Sequence, residues 1–176
     1  NNARAEAALS AMLPGVSFNN NLLTDVTELR LPGLDTSATL HRARLNGEPV
    51  AVVVDLLTPH GYSGDIRLLV SIDTEAEVIL TRVLAHRETP GLGDKIEIER
   101  DDWINNFSGR SLSSPPSENW APDRRGGDFD TLTSATITTA AVIDAVHAAL
   151  LALDEADAEE LWAEPETQAT EAAGVL

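Results

Sequence analysis

The 176-residue sequence contains no cysteine. Disulfide bonds, thiol catalysis and iron–sulfur clusters held by this chain are therefore excluded. Basic residues are also scarce, because 12 lysines and arginines stand against 29 acidic residues and leave a net charge of -17. Nucleic-acid binding needs a footprint of lysine and arginine, and docking on anionic lipid needs a basic patch, so the charge balance argues against both.

Long apolar runs are missing as well. No stretch of about 18 consecutive apolar residues occurs, so we expect none of this sequence to span a bilayer. The four histidines, at positions 41, 60, 86 and 147, lack the spacing of metal ligands, and no P-loop or Gly-x-Ser-x-Gly motif is present. The length fits one domain with a sizeable core.

Short apolar segments separated by turn signals fill the first two thirds of the chain. Asn46-Gly47 is a favoured hairpin turn, and residues 58–64 are rich in turn formers. Periodicity and β-branched content predict strands at residues 40–45, 49–57, 66–73, 77–84 and 96–99. Consecutive hairpins of this kind are typical of an antiparallel sheet.

Helical segments are predicted at both ends. Residues 1–12 are rich in alanine, and apolar residues recur at helical spacing from Thr139 to Leu153, with a continuation to about Trp162. A short capped helix at residues 101–109 places Trp103 and Phe107 four positions apart, where they should pack together in the core. The expected fold is therefore α+β, an antiparallel sheet of hairpins with an N-terminal helix and a C-terminal helix. Past position 165 we expect disorder.

The C-terminal helix is preceded by Asp130-Thr131-Leu132-Thr133-Ser134-Ala135-Thr136. Hydroxyl residues just before a helix are N-cap candidates, and a helix N-terminus suits an anion such as phosphate. A second Ser-Ala-Thr ends at Thr39, but Gly33 stands six positions before it, where the first copy has an acidic residue. We therefore interpret Thr39 as a strand or turn residue.

The spacing Asp-x-x-Thr-Ser-Ala-Thr resembles the covalent flavin-attachment motif of the FMN-binding domain family. Two earlier segments, Gly61-Tyr62-Ser63-Gly64 and Glu88-Thr89-Pro90-Gly91-Leu92-Gly93, occur in the same order in the flavin domains of the Rnf electron-transport complex. The resemblance covers about residues 49–150. The flavin domain of the sodium-translocating NADH:quinone reductase is similar and is a weaker match.

The resemblance implies a site for covalently attached FMN and implies no catalytic or metal-binding residue. Thr136 would form a phosphoester with FMN, installed by a separate flavin transferase, within a recognition frame of Asp130, Thr133, Ser134 and Ala135. The family usually has glycine where Ser134 stands. Further contacts to the cofactor would come from the two earlier segments and their neighbours, namely Tyr62, Ser63, Gly64, Glu88, Thr89, Gly91, Leu92, Gly93 and Lys95.

The resemblance also implies a function. The chain would be a redox carrier subunit of a membrane-bound, ion-translocating oxidoreductase complex, with the other subunits as partners. Residues 1–15 would be a helix that follows a membrane anchor missing from this sequence, residues 16–153 the FMN-binding domain, and residues 154–176 an acidic tail. The domain would lie on the periplasmic side of a bacterial inner membrane, with the C-terminal helix starting at the flavin-attachment motif.

Two other functions remain open from the residues. One is a flavin-free acidic module that only binds partner subunits, and the other is a flavin-dependent reductase with its own small substrate. Flavin content distinguishes the first from an electron carrier. Turnover of a soluble acceptor with NADH by the isolated domain would favour the second.

Overall fold

The computed structural model describes residues 1–165. Within that range the α-helices are α1 (Asn2–Ser10), α2 (Thr136–Glu155) and α3 (Ala158–Leu161). The strands are β1 (Val26–Leu31), β2 (Thr36–Leu45), β3 (Glu48–Gly61), β4 (Gly64–Asp73) and β5 (Val78–Ala85). Short 3₁₀ helices occupy Gly93–Ile96, Trp103–Phe107, Ser117–Asn119 and Asp123–Arg125. The helix, the hairpins and the late helix confirm the expected α+β class.

The five strands form an antiparallel meander, in which each strand pairs with the next along the chain. The predicted turn joins β2 to β3, and Asn46 and Gly47 both have positive φ, 53° and 84°. β3 runs to Gly61, so four positions expected in a turn belong to the strand instead. The ladder to β4 shifts register between Thr58 and Gly61, around Pro59, which has no backbone N–H to donate.

Both faces of the sheet are covered. Val52, Val54 and Leu56 of β3 enter the core that lies under α2. Ala51 and Val53 enter a second cluster on the opposite face, together with residues of α1 and the segment after it. A strand buried on both faces is apolar at successive positions, which explains the uninterrupted run in β3.

The long helix α2 is the core helix of the domain. It contacts β3, β1 and β4, and most of its residues are buried. Within residues 1–165 it is also the one helix long and apolar enough to cross a membrane. Two thirds of its most apolar window, 67%, is buried against the rest of the domain, as expected for a core helix.

The prediction of a strand at residues 96–99 is wrong. A 3₁₀ helix ends at Ile96, and the backbone N–H of Glu97 donates to the carbonyl of Asp94 at 3.1 Å. The N–H of Arg100 donates to the carbonyl of Glu97 at 3.0 Å, so local hydrogen bonds take the place of a strand ladder. Ile96 is fully buried and Ile98 packs against the same core. The alternation of isoleucine and glutamate therefore arises because the two isoleucines of a loop face the core.

Trp103 and Phe107 pack edge to face with ring centroids 5.5 Å apart, which confirms their pairing. The segment is a 3₁₀ helix, and Gly109, with φ 83°, follows its end. Trp120 and Phe129 complete this aromatic group, whose members are all buried in the main core. The aromatic residues of this group therefore serve packing, as the sequence predicted for Trp103 and Phe107.

Two arginines of β2 hold the segment that follows α2. Asp25 lies between them, accepting from Nη1 of Arg42 at 3.1 Å and from Nε of Arg44 at 2.8 Å, and all three side chains are buried. Arg42 Nε also donates to the carbonyl of Leu161 at 2.6 Å, and Arg44 Nη2 donates to that of Trp162 at 3.0 Å. The first part of the acidic tail is thus docked on the domain, and the disorder expected past position 165 lies outside the described residues.

Candidate functional site

A cavity of about 500 Å³ opens at the N-terminal end of α2. Three segments far apart in the sequence form its wall: the turn between β3 and β4, the loop that follows β5, and the start of the helix. Its lining residues are Tyr62, Thr89, Leu92, Gly93, Ser134, Ala135, Thr136, Ile137 and Thr138. The fold therefore brings together the three segments that the sequence singled out.

The N-terminus of α2 is open toward this cavity. Ala135 is the N-cap residue, and no side chain in the described part of the chain caps it. Thr136 is the first helical residue and is half-buried in the wall. The first N–H groups of an α-helix have no partner within the helix and carry a partial positive charge, so this end can bind an anion.

The turn before the helix has an unusual backbone. Ser134 has φ 61°, in the left-handed region that favours glycine. The backbone N–H of Ala135 donates to the carbonyl of Leu132 at 3.0 Å and closes this turn. The left-handed conformation turns the chain sharply from the preceding loop into the helix, so that the first helical turn faces the cavity. It also supplies a physical reason for a glycine preference at this position.

Glu88 joins the three segments from behind the wall. Its side chain is buried, with 4% exposure. Oε1 accepts the backbone N–H of Tyr62 and Oε2 that of Ser63, both at 2.9 Å. Oε1 also accepts the hydroxyl of Thr138, in the first turn of α2. The carboxylate thus contacts the β3–β4 turn and the helix from within the loop after β5.

Gly93 permits close contact between that loop and the helix. A Cβ atom at this position would lie 2.9 Å from Cβ of Glu88 and 2.9 Å from Oγ1 of Thr138. Contacts this short would force the loop away from α2. Gly91 is favoured for a different reason, because its φ of 79° lies in the left-handed region. Its backbone N–H donates to Oδ1 of Asp94 at 2.9 Å.

Several threonine hydroxyls near the helix start are engaged within the protein. Thr131 donates to Asp123, Thr138 donates to Glu88, and Thr139 donates to the carbonyl of Ala135 at 2.8 Å. Thr139 also accepts the N–H of Leu132 at 3.1 Å. These bonds fix the turn and the first helical turn around Thr136.

His86 orients the loop that carries Glu88. The N–H of Glu88 donates to Nδ1 of His86 at 2.9 Å, so the proton of the neutral ring resides on Nε2, which donates to Glu97 at 2.8 Å. This hydrogen bond lowers the pKa of the Glu97 carboxyl, an effect that burial partly offsets. The imidazole therefore ties the start of the loop to its end.

Some residues expected at the site do not line the cavity, namely Asp130, Thr133, Ser63, Gly64, Gly91 and Lys95. The carboxylate of Asp130 is exposed, and its backbone carbonyl accepts Nε1 of Trp103 at 2.7 Å. Thr133 is exposed in the turn before the helix. Glu88 contributes through its hydrogen bonds rather than by lining the wall.

Two lining residues were not expected from the sequence, Ile137 and Thr138. The available signal was helical geometry, since a helix that begins at Thr136 presents its first turn to whatever its N-terminus faces. Ile137 is 47% exposed, and with Tyr62 (67%) and Leu92 (39%) it forms an apolar rim around the cavity.

The cavity suits a flavin mononucleotide in size and in the chemistry of its wall. The cavity volume of about 500 Å³ falls in the range of about 300–1,000 Å³ usual for cofactor sites. An uncapped helix end is suited to the phosphate, and the apolar rim residues Tyr62, Leu92 and Ile137 are suited to a planar ring system. The hydroxyl-bearing side chain of Thr136 lies in the same wall.

A scan against family models matches residues 61–151 to the FMN-binding domain. The matched range begins at the β3–β4 turn and ends in α2, so it contains all three segments of the cavity wall.

Similar proteins are named as the G subunit of the ion-translocating oxidoreductase complex. The one from Pseudomonas aeruginosa (strain UCBPP-PA14) is 42% identical over 154 residues, which cover 86% of this chain and 72% of that protein. The one from Salmonella typhimurium is 44% identical over 146 residues, 81% of this chain and 70% of the other. The one from Escherichia coli (strain K12) is 42% identical over 145 residues, 82% and 70% respectively.

Proposed function

Since this chain belongs to the FMN-binding domain family and is similar to the G subunit of ion-translocating oxidoreductase complexes, we propose that it is an electron-transfer protein carrying FMN bound covalently to Thr136. The observation that carries the proposal is the position of Thr136. It is the first residue of an uncapped helix and lines a cavity that two other family segments complete.

The phosphate would be held at the start of α2. The free N–H groups of the first helical turn would donate to its oxygens, and the helix dipole would stabilise its charge. Thr136 would contribute its hydroxyl oxygen to the phosphoester and lose its proton, while the bond between the FMN phosphate and the leaving group of an activated flavin donor breaks. Ser134 and Ala135 would shape the approach to it, and the exposed Asp130 and Thr133 would be available to the flavin transferase that installs the bond.

The ring system would lie against the loop after β5 and the β3–β4 turn. Leu92 and Gly93 would give an apolar, closely approaching surface, and Thr89 would offer a hydroxyl. Tyr62 is the aromatic residue of the wall and could cover the ring. Bound FMN supplies one- or two-electron redox chemistry, while the protein positions it and tunes its potential.

The similarity to these relatives also supports proposals about the partners and the location of this chain. The partners would be the other subunits of a membrane complex that couples electron flow to ion translocation. The domain would be tethered to the periplasmic face of a bacterial inner membrane. A covalent phosphoester keeps the cofactor with the protein in a compartment from which free FMN would diffuse away.

The test is the intact mass and colour of two threonine variants produced together with a flavin transferase. Thr136→Ala should yield colourless protein without added mass, whereas wild type should be yellow and heavier by one phosphoester-linked FMN. Thr39→Ala is the matched control, because Thr39 also ends a Ser-Ala-Thr sequence but lies within β2. Covalent flavin on Thr136→Ala would refute the assignment, and colourless wild type would favour the flavin-free interaction module.

A further inference from the structure

Glu88 does not line the cavity, but its hydrogen bonds reach two residues that do, Tyr62 and Thr138. Its side chain is buried, and all of its hydrogen-bond partners donate to it: the N–H groups of Tyr62 and Ser63 and the hydroxyl of Thr138. Backbone N–H groups can only donate, and each carboxylate oxygen accepts one of them. The surroundings of this side chain thus supply hydrogen-bond donors to both of its oxygens.

The carboxylate also lies directly behind the cavity wall. Gly93 and Thr138 both line the cavity, and both are in close contact with Glu88, whose Cβ would be 2.9 Å from a Cβ added at Gly93. A buried charge at this depth is screened less than a surface charge. It therefore acts on any group that gains or loses charge inside the cavity.

We propose that Glu88 is the positioning residue of the flavin site, which holds the β3–β4 turn and the first turn of α2 in fixed relative positions. Its fixed negative charge lowers the reduction potential of the flavin. This inference rests on the proposed function and adds to it a role for a residue that does not line the cavity. Reduction adds electron density to the ring system, and a nearby anion opposes that addition.

Three variants separate the charge from the hydrogen bonds. Glu88→Gln removes the charge and presents an N–H to at least one of the donors it now binds. Thr138→Val removes one hydrogen bond and keeps the charge, and Thr138→Ser restores the hydroxyl. Asp65→Asn is the matched control, since it removes an exposed carboxylate just after the same turn.

The first measurement uses the flavin-free protein and follows amide hydrogen exchange at Tyr62 and Ser63 by NMR. Glu88→Gln should accelerate exchange at one or both amides about tenfold or more, the scale of a hydrogen bond to a charged acceptor. Asp65→Asn should leave both rates unchanged. Rates within twofold of wild type in Glu88→Gln would overturn the positioning role. If that variant does not fold, Thr138→Val must exchange faster than Thr138→Ser, and equal rates would overturn the role.

The second measurement is the midpoint potential of the flavin-loaded protein, which a purely structural role would not move. Glu88→Gln should shift the potential upward relative to both wild type and Asp65→Asn. An unchanged potential in flavin-loaded Glu88→Gln would overturn the charge effect. Failure of the proposed function is a different result: wild type would then gain no flavin mass, while the exchange rates of the flavin-free protein would still report on Glu88.

Discussion

Replacing Gly93 with alanine tests whether the loop after β5 must touch α2. The added Cβ would lie 2.9 Å from Cβ of Glu88, 2.9 Å from Oγ1 of Thr138 and 3.4 Å from Cγ2 of Thr138. Neither of the two closest atoms is at the free end of a long side chain, so neither can swing away without moving backbone. One buried methyl group forced into such a site costs about 1–3 kcal/mol.

The free energy of unfolding is best measured on the flavin-free protein by urea denaturation. A loss of about 1–3 kcal/mol corresponds to a fall in Tm of about 2–12 °C for a chain of this length. Gly33→Ala is the control, because nothing lies within 4 Å of its added Cβ and only its left-handed φ of 80° opposes alanine. That conformational strain costs about 1–2 kcal/mol without any clash.

A double-mutant cycle separates the clash from conformational strain. In a Thr138→Ala background the contact with Oγ1 is gone, so Gly93→Ala should cost measurably less than it does in wild type. Gly33→Ala should cost the same in both backgrounds. The reasoning would be refuted if Gly93→Ala left the stability unchanged, or if its cost were identical with and without the Thr138 side chain.

The remaining predictions concern other parts of the fold. Asp25→Asn should lower the free energy of unfolding by about 3–5 kcal/mol, because it leaves Arg42 and Arg44 buried without their counter-charge. Asp55→Asn, which breaks the half-exposed pair with Arg67, should cost less than about 1 kcal/mol in the same urea denaturation assay. Ser134→Gly should raise the free energy of unfolding by about 1 kcal/mol by relieving the left-handed φ, and flavin incorporation measured by mass should persist; a loss of stability would contradict this. Burial lowers the pKa of His147 from its ordinary value of 6.5. Just below that pH the unfolded state therefore binds more protons than the folded state. The stability that depends on neutral His147 is lost as the pH falls through that range. The midpoint temperature of thermal unfolding should therefore fall less for His147→Gln than for wild type between pH 7.5 and pH 5.5. Parallel curves of midpoint temperature against pH would contradict the lowered pKa of His147.

The local signals in the sequence predicted much of the fold. Asn46-Gly47 and the β-branched run after it define the β2–β3 hairpin, because turn residues and period-two burial act over a few positions. The helical spacing after Thr139 likewise predicted α2, and the helix begins at Thr136, within the flavin-attachment motif, as the resemblance implied. What failed was the alternation at residues 96–99, where burial against the core from a loop imitates the burial pattern of a strand.

Long-range partners could not be read from the sequence. Arg42 and Arg44 alternate in β2 like solvent-facing residues, yet both are buried. Asp25 and the backbone carbonyls near Leu161, which satisfy them, are 17 to 119 residues away. In the same way, the Glu88–Thr138 bond joins residues 50 positions apart, so the role of Glu88 emerges only when the loop and the helix are seen in contact.

The charge of the chain bears on why the proposed flavin would be attached covalently. The chain has a net charge of -17, and no lysine or arginine lines the cavity wall within the described residues. A phosphate at the start of α2 would therefore be held by backbone N–H groups and the helix dipole, an interaction of about 0.3–2 kcal/mol in known cases. Such an interaction orients an anion but binds it weakly against the repulsion of an acidic protein. The proposed phosphoester to Thr136 would remove the need for tight reversible binding, so the backbone at this helix end would have only to position the phosphate.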